Sequence, residues 1–326
     1  MAIKLTTYHA SSPLPDLPGE NTFHSNELFR VYAATPNYTP ILLTASEDDH
    51  LLGKLLVVVQ SNKKFFKLFN YRLCQVLGDG EYFDEVRKEE VFELMLGYLT
   101  EEVFNYCQVV EFRNLSDALF GYKAFKENHF FAINWLKVSY SLHSVTHVEE
   151  RFSASRLRQV KKGLKNGATV RMAQSHEEVE QFAMLLQQVY SSKIRRHFPD
   201  RKFFNHLQEG SDKKEMSRIF IVLYKEKIIG GSVCAYSGDK AYMWFSGGMT
   251  KMYLRQYPGV LAVWKAMADA KERGYRHIEF LDVGLPFRKH GYREFVLRFG
   301  GKQISTRRWF RVRWNLLNRV LMRIYS

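Results

Sequence analysis

Apolar positions along this chain recur with two periods, and the changes between them mark out its elements. Residues 23–32 read as a short helix, and residues 38–44 and 51–60 read as strands on either side of an acidic turn, Glu47-Asp48-Asp49, so a β-hairpin is predicted there. Val91, Leu94, Met95, Tyr98, Leu99 and Val103 recur at i, i+3, i+4 and i+7, which predicts an amphipathic helix over residues 86–106. Residues 108–112 and 130–140 then have the β-branched and aromatic content of strands, with a turn at 114–118.

A polar stretch at 142–150 separates this first part from a helix with both ends signalled: Ser153 as N-cap, and Asn166-Gly167 as a stop where glycine takes a left-handed cap. A strand at 168–172, a helix from about Ser175 with Glu177 and Glu178 in its first turn, and a basic loop at 193–197 follow. Residues 218–224, 227–236 and 240–245 read as a three-stranded meander. A helix over 258–273 opens on Pro258 and stops at Gly274, a short strand covers 278–281, and a helix over 287–298 stops at Gly300-Gly301 before a last strand and a cationic tail. The pattern predicts α+β architecture in two domains, residues 1–150 and 151–326; 326 residues at about 150 per domain agree with that.

Composition narrows the classes. At 46% hydrophobic and 15% aromatic, the chain has ample material for cores, and disorder is not expected. A net charge of +14 favours anionic partners: nucleic acid, acidic lipid, or phosphate-bearing small molecules. Cys74, Cys107 and Cys234 have neither disulfide nor zinc spacing, no metal site is expected, and a cytoplasmic location fits best. The opening residues have no secretory-signal pattern, and no run of 18 apolar residues occurs, so membrane contact, if it occurs, is peripheral at the inner face. The sequence contains no His-Glu-x-x-His, Walker loop, Rossmann fingerprint or Gly-x-Ser-x-Gly elbow, which removes support for metalloprotease, NTPase, dehydrogenase and α/β-hydrolase readings.

Three segments carry a family resemblance. Residues 155–170, Ser-Arg-Leu-Arg-Gln-Val-Lys-Lys-Gly-Leu-Lys-Asn-Gly-Ala-Thr-Val, resemble the basic helix that leads into the second GNAT lobe of FemAB-like and BioF2-like acyltransferases. Pro258-Gly259-Val260-Leu261 through Gly274, followed by Phe280-Leu281-Asp282-Val283-Gly284, is similar to that family's passage of helix, glycine, short strand and Asp-x-Gly. Residues 291–301, from Gly291-Tyr292 to Phe299-Gly300-Gly301, are similar to its closing motif, although Val296 stands where Fem-type aminoacyl ligases usually have lysine, with Arg298 two residues on. Of the usual phosphate signature, Gln256 and Gly259 are present and Leu261 replaces the final small residue.

The resemblance implies tandem GNAT-like lobes, each a mostly antiparallel sheet flanked by helices, the first a degenerate copy. It implies transfer of an acyl or aminoacyl group from acyl-CoA or aminoacyl-tRNA to an amine or hydroxyl, in cell-envelope or lipid-linked biosynthesis. A helix N-terminus concentrates unpaired N–H groups and positive dipole, so Arg255, Gln256, Tyr257, Gly259 and Val260 are expected to hold the donor's phosphates. The acyl group is expected beside Trp244, Phe245 and Ser246 at the end of the third meander strand, where strand amides would polarise its carbonyl. Asp282, His290 and Tyr292 form an expected acid/base cluster, with Tyr292 as proton donor to the leaving group. The groove between the lobes is expected to hold the acceptor, with Tyr122 and Tyr140 nearby, and Arg158 and Lys161, along with Lys162 and Lys165, are expected to contact phosphate.

Each of these has a plainer reading: a simple turn before a proline-initiated helix, core aromatics, a loop cap, a solvated helix face. After Glu294 no acidic residue occurs while arginines accumulate among aromatic and aliphatic residues, so the tail reads as a docked segment, an interfacial helix on anionic lipid, or an RNA contact. DNA is not an expected partner. A non-catalytic protein that binds RNA or anionic lipid is the alternative to the enzyme.

Overall fold

The computed structural model describes residues 3–62, 71–115, 117–190, 198–213 and 215–325. The basic loop read at 193–197 lies outside the described residues. The chain forms two compact units: residues 1–135 with 305–326, and residues 136–304. This differs from a single boundary near residue 150 with the tail in the second lobe, and the strand order gives the reason.

In the first unit β1 (Lys4–His9) pairs antiparallel with β2 (Tyr38–Glu47), with α1 (Asn26–Ala34) between them in the chain. β2 and β3 (His50–Asn62) form the predicted hairpin. Asp48 and Asp49 take φ of 48° and 62°, the left-handed pair that suits a two-residue hairpin turn. β3 pairs with β4 (Tyr71–Leu77) and with the short β5 (Glu81–Tyr82). β4 lies parallel to β6 (Val109–Arg113), and the connection runs through α2 (Lys88–Val103), whose Val91, Phe92, Met95, Leu96, Leu99 and Val103 are buried. These side chains share a core with Phe112, Phe125 and Trp309, and α3 (Tyr122–Glu127) covers its end.

The second unit repeats this plan. After β7 (Phe131–Ser141) and α4 (Ala154–Lys165), β8 (Thr169–Met172) pairs antiparallel with β9 (Ser217–Tyr224), with α5 (His176–Val189) and α6 (Arg201–Lys213) between them in the chain. β9, β10 (Lys227–Ser237) and β11 (Lys240–Gly248) are the predicted meander. β11 lies parallel to β12 (His277–Phe280) through the crossover helix α7 (Pro258–Glu272), as β4 lies parallel to β6. Then come α8 (Gly291–Leu297), β13 (Lys302–Val312) and α9 (Asn315–Tyr325). The last strand of each plan is exchanged: residues 138–141 of β7 pair with β12, and residues 308–312 of β13 pair with β6. Each unit therefore holds a strand from the other half of the sequence, and no single cut divides the chain into its units.

The helix ends follow their signals. Ser153 accepts the Arg156 N–H at 3.3 Å, Gly167 takes φ of 84° beyond the Asn166 cap, and Ser175 caps α5. The helix expected over 287–298 is shorter because residues 286–289 are exposed and offer no apolar face. In β10, a Cβ on Gly230 would meet Pro258 of α7 at 2.9 Å and one on Gly231 would meet Phe182 of α5 at 2.7 Å. Neighbouring strand residues point to opposite faces, so α7 and α5 cover opposite sides of the second sheet.

Candidate active site

The second unit has an opening in its sheet. β11 runs to Gly248, but β12 pairs with it only over Lys240–Met243. Among the described residues, 244–248 therefore keep β10 on one side and no strand on the other. The register also slips here: Val233 faces Phe245 while Cys234 faces Met243, so Trp244 is an extra, bulged residue. The bulge turns two successive side chains the same way. Trp244 and Phe245 stack on each other with centroids 5.7 Å apart, and both meet Phe203 of α6, at 5.5 and 6.3 Å; Phe198 and Phe204 pack against Phe245. Both are only half-buried, so they form an aromatic wall at the opened end rather than a closed core.

The open edge is partly taken. Ser246 donates its N–H to the Tyr190 hydroxyl at 3.3 Å, and that hydroxyl donates to the Ser246 carbonyl at 2.9 Å. Strand amides were expected to be free to polarise a carbonyl; the amide of Ser246 is engaged, and that of Gly248 faces the same edge by the alternation of the ladder. The Tyr292 hydroxyl lies 3.4 Å from Ser246 Oγ, which completes a cluster of three hydroxyls. Burial pushes Tyr190 up to about 12, opposed by its bond to Ser246, and burial raises Tyr292 above the ordinary tyrosine value, with Tyr190 adding to the rise. Both phenols are protonated at neutral pH and can donate a proton.

The N-terminus of α7 adjoins this opening. Tyr257 adopts φ of 49° as N-cap without a side-chain cap, Pro258 has no N–H, and the Val260 and Leu261 N–H groups turn back onto the Tyr257 carbonyl. This leaves the Gly259 N–H as a first-turn amide. Two glycines allow the close fit. A Cβ on Gly248 would lie 2.7 Å from the Gly259 nitrogen, and one on Gly163 of α4 would lie 2.6 Å from the Gln256 carbonyl oxygen. Gln256 is buried, and the Arg255 carbonyl accepts from Asn166 Nδ2 at 2.7 Å, which ties the loop to the end of α4. Tyr257 and Val260 line a cavity of about 370 Å³, together with Thr250, Gln159, Phe295 and Arg298.

Arg156 forms one wall of that cavity. It is 2% exposed, with its guanidinium 4.4 Å from the centroids of both Phe295 and Phe299. It donates to Gln159 Oε1 at 2.8 Å and to the Phe295 carbonyl at 2.7 Å, but its Nε is buried without a hydrogen-bond partner, and among the described residues no carboxylate pairs with it. Burial lowers its pKa to about 10, and neighbouring Arg298 pushes the same way. A buried cation with no counter-ion is costly unless an anion arrives. Glu294, also on the cavity wall, sets one opposing charge at its margin.

The remaining expected residues fall as follows. Arg158, Lys161, Lys162 and Lys165 share an open hollow of about 300 Å³ on the outer face of α4. Of the expected Asp282–His290–Tyr292 cluster, Tyr292 turns to Ser246, and His290 heads α8 with its Nδ1 buried and unpartnered. Its pKa is lowered by burial and by Arg293. Asp282 is exposed at the end of β12 in a left-handed conformation, φ 60°. Tyr122, in the first unit, packs edge-on against Trp309 at 5.4 Å with Arg307 over its ring. Tyr140, in the second, is fully buried with its hydroxyl donated to the Val148 carbonyl at 2.7 Å, so it has no surface to offer an acceptor. Val296 is likewise buried, while Arg298 reaches the cavity. Among the described residues, no group of His, Cys, Asp and Glu is placed to hold a metal ion.

Sequence reasoning missed Arg156 and Tyr190. A signal for Arg156 existed: it stands four residues before Val160 and seven before Gly163, on the buried stripe of α4 rather than with the cations of its outer face. Tyr190, beyond the last turn of α5, gave none.

Comparison with known proteins agrees with this geometry. Residues 152–289 match the family model described as an acetyltransferase (GNAT) domain. The structure of FemX superposes with a TM-score of 0.62 at 13% identity, covering 97% of this chain and 96% of that one. A tandem GNAT protein from the clavulanic acid biosynthesis pathway gives 0.59 at 9% identity, covering 95% and 98%. The C-terminal domain of a putative lysylphosphatidylglycerol synthetase from Agrobacterium fabrum gives 0.56 at 12%, covering 93% and 91%. No curated protein matches the chain in sequence. Residues 152–289 of the second unit are thus similar to an acetyltransferase (GNAT) domain, and the chain has the fold seen in FemX and in the tandem GNAT protein.

Proposed function

We propose that the second unit transfers an acyl or aminoacyl group from a phosphate-bearing donor, acyl-CoA or aminoacyl-tRNA, to an amine or hydroxyl acceptor. The observation that carries this reading is the buried Arg156, without a carboxylate partner among the described residues, on a cavity that also touches the start of α7. A donor phosphate there would meet a helix N-terminus, Arg156 and Arg298, and the hollow at Arg158, Lys161, Lys162 and Lys165 would take further phosphates along the carrier. The carbonyl would lie against the open edge of β11, with the Gly248 N–H facing its oxygen and Trp244 and Phe245 shielding it from water.

The acceptor's amine or hydroxyl attacks the carbonyl carbon. The tetrahedral intermediate collapses with loss of the thiolate or ribose alkoxide, which takes the proton of Tyr292, and the acceptor's proton restores the phenol through solvent. The raised pKa of Tyr292 keeps its phenol protonated at neutral pH and matches the strongly basic ribose alkoxide better than the weakly basic thiolate. An acceptor in cell-envelope or lipid-linked biosynthesis is part of the same proposal and draws on the likeness to FemX and to the lysylphosphatidylglycerol synthetase domain.

The test is calorimetric titration with acetyl-CoA, a long-chain acyl-CoA and an aminoacyl-tRNA, each against Gly259→Glu. The nearest atom to a Cβ at 259 is Thr250 Oγ1 at 3.8 Å, so the variant fits the backbone and sets a carboxylate at the mouth of the helix. Micromolar binding of one donor class that the variant abolishes is the expected result. Binding of none, or binding that the variant leaves intact, removes the reading and favours a non-catalytic protein that binds RNA or anionic lipid, with steep salt dependence.

A further inference from the structure

The C-terminal helix turns the wrong side outward for a helix docked by its apolar face. α9 is held to the first unit by a polar residue: Asn318, 3% exposed, accepts the Val312 N–H at 2.9 Å and donates to the His129 carbonyl at 2.8 Å. Tyr325 adds a stack on Phe131, 5.5 Å between centroids. On the side away from Asn318, Leu316, Val320 and Ile324 follow one another at intervals of four residues and are 78%, 47% and 65% exposed, with Leu317 beside them. Arg319 and Arg323 run along one border of this stripe, and exposed Trp314 stands at its head. The helix has 11 residues, and among the described residues no helix is long and apolar enough to cross a membrane.

We propose that this face lies flat in the surface of an anionic lipid bilayer. The charges select this occupant. No acidic residue follows Glu294, and Arg319 and Arg323 border the stripe, with Arg313 just ahead of the helix. Two copies brought face to face would set these arginines against one another. RNA would satisfy the arginines but leave the leucine, valine and isoleucine uncovered. An anionic bilayer answers both, with acyl chains for the stripe and headgroup phosphates for its border. The inference stands apart from acyl transfer and needs no donor to be bound.

The test is co-sedimentation of the full chain with phosphatidylcholine vesicles containing 0 or 30% phosphatidylglycerol, with Trp314 fluorescence followed against Trp314→Phe. Binding to the charged vesicles only, of the order of 10⁴ M⁻¹ as for a single acyl chain, is expected. Ile324→Glu should abolish it, and each of Arg319→Gln and Arg323→Gln should weaken it about five-fold, equivalent to about 1 kcal/mol per charge at the surface. All three positions are exposed, so these variants keep the fold. Three results overturn the proposal: no binding to either vesicle, a dimer that Ile324→Glu dissociates without vesicle binding, or RNA binding that the arginine variants lose and Ile324→Glu keeps. Because vesicle binding is read without donor, its failure leaves the acyl-transfer reading untouched, and the reverse also holds.

Discussion

At the scale of the residue, two side chains divide the proposed work. Tyr292→Phe removes one oxygen from the hydroxyl cluster at Ser246 while keeping the ring that stacks on Phe295. With a donor identified, kcat should fall by a factor on the order of 10² to 10⁴, the range for loss of a general acid, with KM nearly unchanged; an unaltered kcat would remove Tyr292 from the chemistry. Arg156→Met keeps the bulk between Phe295 and Phe299 and removes the charge. Donor affinity should drop about 10- to 100-fold, the worth of hydrogen bonds to a charged group. Thermal stability should hold or rise, because an apolar group replaces an uncompensated buried cation. A loss of stability with affinity retained would make Arg156 a structural residue. The sequence showed the cations of α4 but not which of them was inside, since charge alone favours the outer face and only the position relative to Val160 and Gly163 separates Arg156 from Arg158.

At the scale of the element, hairpins, the meander and capped helices were legible because their signals are local: a two-residue turn, a Ser N-cap, a stop at Gly167 or Gly274. β1 was not, since Lys4–His9 is polar and partly exposed and its place is fixed by pairing with β2 over thirty residues away. α6 also escaped, lying directly after the basic stretch at 193–197. One buried histidine joins three elements of the first unit. His24, in the turn before α1, is fully buried and has the backbone N–H groups of Leu56 and Gly80 3.0 Å from its two ring nitrogens. A neutral ring accepts from one of these at a time and a protonated ring from neither. Burial, with Lys54 adding, lowers its pKa from 6.5 to about 3. The sign follows from that depression: above about pH 6.5 His24 contributes no pH dependence, and below it the unfolded chain binds a proton that the folded chain excludes. Stability should therefore fall by about 1.4 kcal/mol per pH unit from this group as the pH drops toward 3. Denaturant midpoints between pH 7.5 and 4.5 should show a shallower acid loss in His24→Asn; parallel curves would contradict the assignment.

At the scale of the whole molecule, the exchange of β7 and β13 was invisible in the sequence because both read correctly as strands and only long-range pairing decides which unit each joins. The exchange makes the tail part of the first core. Trp309 of β13 is fully buried and stacks on Phe125 at 4.6 Å, and Arg308 pairs with buried Glu111 at 3.0 Å. Truncation after Ile304 should leave only the second unit folded, whereas truncation after Arg313, which removes α9 and keeps β13, should fold with a melting transition near that of the full chain. Circular dichroism on both distinguishes these outcomes, and a shorter form that keeps the full chain's amplitude and melt would mean that the first unit is self-sufficient without β13. The net charge of +14 belongs to this scale too: under the proposed function it would draw an anionic donor toward a cavity whose own cation is out of solvent.

The exchanged strand also sets an order of events during synthesis. A ribosome delivers residues 1–135 first, yet the segment that closes the edge of β6 emerges only after the whole of residues 136–304. Until then the nascent N-terminal half carries an unpaired strand and an unfilled place for an indole ring, so on this chain completion runs backward, with the first unit finishing its fold only after the second has been translated.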